Sequence, residues 1–189
     1  DAGFSFFMNE FEIIKQYFTG HSGRKDVIMG PGDDCALLQM QPNTTLAVST
    51  DTLVANVHFF ADMDPVALGH RALAVNLSDL AAMGADPCWV SLALTLPEVN
   101  EAWLKGFCEG FFELAEYYNV ALVGGDMTKG PLSITVTVHG SLPEGKALRR
   151  NGAKAGDGIY VTGTLGDAAL GLQQQLGNIT VAEPHQAFV

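Results

Sequence analysis

The stretch DPVALGHRALAVNLSDLAAMG, residues 64–84, carries the clearest helix signal in the chain. Asp64 suits the N-cap, Pro65 suits the first helical position, and Gly84 can end the helix in the left-handed conformation. The residues between them are mainly apolar, so the helix predicted over 65–83 must pack against other elements. The helices and strands against which this helix packs decide the fold class.

Helix and strand patterns alternate on both sides of this stretch. Helical spacing appears over 10–18 and again after Asn100, a second suitable N-cap. Strand patterns cover 46–54, 90–96, 120–123 and 132–139, and the third ends at Gly124-Gly125-Asp126. Because these elements interleave without strict βαβ repetition, we predict an α+β fold, a mixed sheet packed with helices.

The composition changes after residue 140. A loop with four basic residues follows, and residues 156–172 are typical of an opening strand, turn and helix. We therefore predict one complete domain over 1–145 and the beginning of a truncated, second α+β domain over 146–189.

Charge and composition exclude several classes of protein. The chain is 48% hydrophobic and has 21 acidic against 10 basic residues, a formal net charge of -11. This balance argues against sequence-independent nucleic-acid binding, which depends on Lys and Arg. No apolar stretch reaches the ~18 residues of a membrane span, and three cysteines without CxxC spacing favour a reducing compartment. We expect a cytoplasmic protein that binds neither nucleic acid nor membrane.

Four aspartates stand in unusual surroundings. Asp34 follows a glycine-rich turn, Asp51 interrupts an apolar strand, Asp79 lies inside the apolar helix, and Asp126 follows two glycines. An unpaired buried carboxylate is costly, and basic residues are scarce here. Asp51 and Asp79 therefore need solvent, a salt bridge or another cation. Asp34 and Asp126, beside glycines, are equally compatible with ordinary turns.

Oxygen ligands of this kind suit Mg²⁺, and hydroxyl residues flank Asp51 on its strand. Metal ions would also let so acidic a chain accept a nucleotide. At this point two interpretations remain open, a Mg–phosphate site and a solvated acidic surface. The sequence contains neither a P-loop nor a dinucleotide-binding glycine motif.

Seven segments together resemble the thiamine-monophosphate kinases, a family of the aminoimidazole-ribonucleotide-synthetase-like (PurM-like) superfamily. They occur in the family's order and spread over most of the chain. They are GPGDDCA at 30–36, STDTLV at 49–54, HF at 58–59, NLSDLAAMGA at 76–85, GGD at 124–126, RRNGAKAGD at 149–157 and VTG at 161–163.

The resemblance implies roles for individual residues. It assigns metal binding to Asp34, Ser49, Thr50, Asp51, Asp79 and Asp126, ATP binding to Gly125, Asp126 and Arg150, and substrate binding to His58. Asp33 would support the metal ligands indirectly. No side-chain base is implied.

The resemblance also implies a reaction, ATP-dependent phosphorylation of thiamine monophosphate to thiamine diphosphate with several Mg²⁺ ions. It further implies a PurM-like N-terminal domain that binds metal and ATP and pairs with a second copy as a homodimer. Two alternatives stay open: a sibling ATP-dependent synthetase, and a fragment of this length that only dimerises.

Overall fold

A four-stranded mixed sheet with helices packed on it forms the centre of the first part of the chain. The computed structural model describes residues 10–20 and 23–182 and divides the chain into two units, 1–150 and 151–189. The helices are α1 Glu10–Tyr17, α2 Pro65–Met83, α3 Glu101–Tyr117 and α4 Asp167–Gln175, and the strands are β1 Val27–Met29, β2 Leu37–Leu38, β3 Thr44–Val54, β4 Asp86–Leu96, β5 Ala121–Lys129 and β6 Ser133–Pro143.

The sheet has the strand order β3-β6-β4-β5. β6 runs antiparallel to both of its neighbours, whereas β4 and β5 are parallel and connected through α3. α2 packs against β3, β6 and β4, α3 packs on α2, and α1 packs on α3. The predicted α+β class, with its mixed sheet and packed helices, is confirmed.

The two long helices have the predicted capping. The Asp64 carboxylate accepts the Ala67 N–H at 2.9 Å, and Gly84 closes α2 at φ 70°. At the start of α3, the Asn100 side-chain oxygen accepts the Trp103 N–H at 3.0 Å. Local sequence chemistry thus determines both helix starts.

β5 is longer than predicted. The expected end before Gly124 is wrong, because the strand continues through both glycines to Lys129. A Cβ on Gly125 would lie 1.8 Å from the Leu92 carbonyl oxygen of β4, so the glycine lets two backbones approach rather than ending the strand.

The second unit is described by itself over residues 151–182. It forms α4, and the Thr164 hydroxyl donates to the Asp167 carboxylate beside the helix start. The strand expected before this helix is absent from these residues, where Ile159 and Tyr160 are almost fully exposed. A strand requires a partner, and residues 151–182 provide none. That residues 146–189 begin a second domain stays a prediction.

Among the described residues, no helix combines the length and the apolar character that crossing a membrane requires.

Two glycines allow the backbones of α2 and α3 to touch. A Cβ on Gly69 would lie 2.0 Å from the Phe107 carbonyl oxygen, and a Cβ on Gly110 would lie 1.9 Å from that of Val66. Any larger residue at either position must push the helices apart.

One polar side chain is fully buried in this layer. Asn76 is 1% exposed, its Nδ2 donates to the Ala72 carbonyl at 2.9 Å, and its Oδ1 accepts the backbone N–H of Asp51 at 3.1 Å. The amide thus both donates and accepts, and it links α2 to β3.

The substitution Gly110→Ala tests the helix contact. We expect it to lower the free energy of unfolding by about 3 kcal/mol, since overpacking at the Val66 carbonyl outweighs the better helix propensity of alanine. Denaturant unfolding measures the change. Gly23→Ala, at a glycine whose Cβ would meet no atom within 4 Å, should change stability by less than about 0.5 kcal/mol. Equal effects of the two variants would contradict the packing argument.

The substitution Asn76→Asp tests the buried amide. A carboxylate cannot donate to the Ala72 carbonyl and would bring an uncompensated charge into the core, so we expect a loss of at least about 3 kcal/mol. Ser78→Asp adds the same charge at an exposed position of α2 and should cost under about 0.5 kcal/mol. Comparable urea midpoints for the two variants would refute the role of the amide.

Candidate active site

Three of the predicted ligand residues lie at the contact between β3 and α2. The Ser49 hydroxyl donates to Asp79 Oδ2 at 2.6 Å, and the backbone N–H of Asp51 bonds to Asn76 three residues before Asp79. Side chains alternate along a strand, so Ser49 and Asp51 share the face that meets α2. The structure therefore brings together a strand motif and a helix motif that are 30 residues apart.

The carboxylates of this contact have no basic partner in the described part of the chain. Asp79 is exposed and Asp51 is half-buried, and neither forms an ion pair with a described residue. Carboxylate and hydroxyl oxygens are hard ligands of the kind that Mg²⁺ prefers. The donor chemistry thus fits a divalent cation and phosphate oxygens.

Thr50 lies on the other face of β3. Its hydroxyl is 2.9 Å from that of Thr137 on β6, and Thr52 makes the same contact with Thr135. The Thr50 side chain is therefore separated from those of Ser49 and Asp51, and its assignment as a metal ligand stays a prediction.

Asp34 and Asp126 line a cavity of about 700 Å³ along β5. Asp34 lies in the loop between β1 and β2, where its backbone N–H donates to the Asp33 carboxylate at 2.8 Å. Asp126 is paired in register with Ala93, between the core residues Leu92 and Leu94, so its side chain lies on the sheet face away from α2. Gly125 also lines the cavity.

The predicted metal ligands therefore form two groups rather than one. Ser49, Asp51 and Asp79 lie where α2 meets β3, and Asp34 and Asp126 line the cavity beside β5, at the opposite edge of the sheet. Among residues 10–20 and 23–182, no three His, Cys, Asp or Glu side chains are close enough together to hold a metal ion. The full ligand set stays a prediction.

The predicted substrate and ATP residues are exposed. His58 Nδ1 accepts the backbone N–H of Val54 at 3.0 Å, so the imidazole proton is on Nε2, which faces no described partner. Arg150 is exposed at the end of the first unit and forms no ion pair with a described residue.

One residue of the cavity has no counterpart in the sequence-based prediction. His139 on β6 lines it, and its Nδ1 is buried without a hydrogen-bond partner among the described residues. Burial holds the pKa of His139 below its ordinary value. The alternation of Ile134, Val136 and Val138 already places residue 139 on the opposite face from the core, and that is the sequence signal that could have found it.

Thiamine-monophosphate kinases are among the most similar proteins of known name. That of Escherichia coli (strain K12) is 57% identical over 179 residues, which is 94% of this chain and 55% of the relative. The crystal structure of the Stenotrophomonas maltophilia K279a enzyme is 48% identical and matches with a TM-score of 0.81, covering 88% of this chain and 54% of that one. The resemblance found in the sequence is confirmed.

A third comparison is with a structure that holds ligands, AaThiL complexed with AMPPCP and TMP. It is 32% identical, has a TM-score of 0.71, and is matched over 97% of this chain and 60% of its own length. The chain thus spans about half the length of the curated relatives it matches.

Residues 32–142 match the family described as AIR synthase related protein, N-terminal domain. These residues include β2 to β5 and most of β6, so the chain belongs to the AIR synthase related proteins and carries their N-terminal domain.

Proposed function

We propose that the intact protein phosphorylates thiamine monophosphate to thiamine diphosphate, with ATP as the phosphoryl donor and Mg²⁺ as the metal. The observation that carries this proposal is the 2.6 Å bond between Ser49 and Asp79, which joins two of the seven segments that resemble thiamine-monophosphate kinases, STDTLV and NLSDLAAMGA. The relatives of that name, and the AMPPCP and TMP bound to AaThiL, support the choice of substrates. A cytoplasmic location is part of the proposal.

The proposed phosphoryl transfer does not require a side chain that acts as a general base. The phosphate of the acceptor has a second pKa of about 6, so at neutral pH it is mostly a dianion and needs no general base. The difficulty is the repulsion between two polyanions. Mg²⁺, when bound, would neutralise phosphate oxygens and align them for in-line transfer.

The residues of this chain would hold and orient the reactants. Asp51 and Asp79 have oxygens without basic partners, and we assign metal binding to them, to Ser49 and Thr50, and to Asp34 and Asp126 across the sheet. Arg150 would contact the nucleotide. His58 would donate its Nε2–H to the acceptor phosphate, because its Nδ1 is already occupied by the Val54 N–H.

The direct test incubates the intact protein with ATP, Mg²⁺ and thiamine monophosphate and identifies the products by chromatography and mass spectrometry. We expect thiamine diphosphate and ADP in equal amounts. ADP formed only with another acceptor would identify a sibling synthetase, and a folded protein that forms neither product would leave only the dimerisation function. Either of these results refutes the proposal.

The substitution Asp51→Asn tests the β3 group of ligands. We expect turnover to fall by about 100-fold or more, beyond the 10- to 100-fold typical of a residue that only supports a metal ligand. The far-ultraviolet circular dichroism should not change, because only the charge is removed. Asp62→Asn, at an exposed aspartate outside the predicted site, should keep normal turnover. Near-normal turnover of Asp51→Asn would exclude its role in metal binding.

We further propose that the protein is a homodimer that pairs through the β3–β6 part of its N-terminal sheet, on the face away from α2. The helices pack on one face, whereas on the other face of β3 Leu46 is 46% and Val48 is 53% exposed. The threonine pairs of β3 and β6 extend this surface. A second copy of the same β3–β6 surface offers the same exposed aliphatic and threonine side chains, which suits twofold pairing.

The substitution Val48→Asp tests the dimer. Two aspartates near a twofold interface repel each other and must lose solvent, so we expect the mass measured by light scattering at micromolar concentration to fall from dimer to monomer. Val99→Asp, at a similarly exposed valine before α3, should leave the dimer intact. A wild-type monomer, or a dimer that survives Val48→Asp, would contradict the proposed interface.

A further inference from the structure

A cluster of charged and aromatic side chains lies at the base of the β1–β2 hairpin, away from the predicted ligands. Arg24 donates to both oxygens of Asp26, from Nε at 2.9 Å and from a terminal nitrogen at 2.5 Å. Its other terminal nitrogen donates to the Asn119 carbonyl at 2.7 Å. We call Arg24, Asp26 and Trp89 the Arg24 clamp.

Trp89 of β4 completes the clamp. Its indole N–H donates to Asp26 Oδ1 at 3.2 Å, and the guanidinium carbon of Arg24 lies 5.8 Å from its ring centre. The side chains of Arg24 and Asp26 are only 14% and 17% exposed, and the hydrogen bond from Arg24 lowers the pKa of Asp26. A bidentate, largely buried pair of this kind is stronger and more directional than a surface ion pair.

The clamp fixes both ends of the hairpin that carries Asp34. Asp26 directly precedes β1, and its backbone carbonyl accepts the N–H of Gln39, directly after β2, at 2.8 Å. The two strands are three and two residues long with irregular register, and such a hairpin has little stability of its own. Its other support is apolar packing of the hairpin against Trp89, Ala121 and Val123.

The loop between these strands forms one wall of the cavity. Residues 31–36 line it from this side, and Gly124–Asp126 of β5 line it from the other. The position of the Asp34 carboxylate relative to Asp126 therefore depends on how firmly the hairpin is held. The polar contacts of the clamp join the base of the hairpin to β4 and to the turn before β5.

We propose that Arg24, Asp26 and Trp89 are positioning residues for the nucleotide site, which hold the Asp34 loop against β5 in the geometry that binds a metal–nucleotide complex. The inference rests on the proposed function for its ligand. It requires the forked guanidinium of arginine, since lysine carries its three N–H donors on one nitrogen and cannot reproduce the positions of Nε and both terminal nitrogens of Arg24.

The test uses Arg24→Lys in the intact protein, with Arg71→Lys, at an exposed position of α2, as the matched control. Cys35 is exposed in the loop, whereas Cys88 and Cys108 are buried, so a nitroxide on Cys35 reports loop motion by electron paramagnetic resonance. A Cys35→Ser variant must lose this signal. Binding of AMPPCP with Mg²⁺ is measured by calorimetry on unlabelled protein.

We expect Arg24→Lys to raise the mobility of the nitroxide and to weaken Mg²⁺–AMPPCP binding about 10-fold, the ratio that one lost charge-assisted hydrogen bond produces. The control Arg71→Lys should match the wild type in both nitroxide mobility and affinity for Mg²⁺–AMPPCP. Unchanged nitroxide mobility would overturn the proposal. Raised mobility with unchanged affinity would also overturn it, because the loss of a purely structural clamp would loosen the loop without affecting nucleotide binding.

Two further results keep the test decisive. If Arg24→Lys does not fold, Trp89→Phe replaces it in the test. This variant retains an aromatic ring and loses the indole N–H, so it should raise nitroxide mobility and weaken Mg²⁺–AMPPCP binding by smaller amounts. If the wild type does not bind Mg²⁺–AMPPCP, the proposed function fails. The nitroxide mobility then still tests the clamp, and equal mobility in wild type and Arg24→Lys refutes it.

Discussion

The buried amide of Asn76 is the interaction on which the arrangement of the site depends. It donates to its own helix and accepts from the Asp51 backbone, so α2 and β3 can meet in one register only. In that register Ser49 reaches Asp79, three residues further along the helix. An apolar residue at position 76 could fill the space but could not choose among neighbouring registers, because dispersion contacts are not directional. The same amide therefore serves both the core and the site.

The elements with local signals are the ones that the sequence predicted well. Asp64, Pro65 and Gly84 define α2 because caps act within a few residues. β5 was predicted too short because Gly125 permits close approach to Leu92, and this packing cannot be distinguished from a turn in the sequence. The strand expected before α4 requires a neighbouring strand, which propensity alone does not provide.

The site shows the same division between local and long-range information. That Asp51 and Asp79 would need partners followed from their apolar surroundings, and both lie at the β3–α2 contact. Asn76 entered the sequence analysis only as the first residue of the segment at 76–85, since its bond to Asp51 depends on tertiary packing. The sequence contained no motif that linked Arg24, Asp26 and Trp89, because Trp89 is 63 residues away from Asp26. Contacts of this kind become visible only when the strands are assembled.

The two groups of carboxylates limit what metal ions can do in one copy of the sheet. β3 and β5 are the outer strands, and three strand spacings place them roughly 14 Å apart. A Mg²⁺ ion binds oxygen at about 2.1 Å, so one ion cannot join Asp51 to Asp126. At least two ions are needed if both groups bind metal, and phosphate oxygens or a second copy of the chain must link them. A reaction between two phosphorylated substrates has this requirement, because each polyanion must be neutralised before the two can approach.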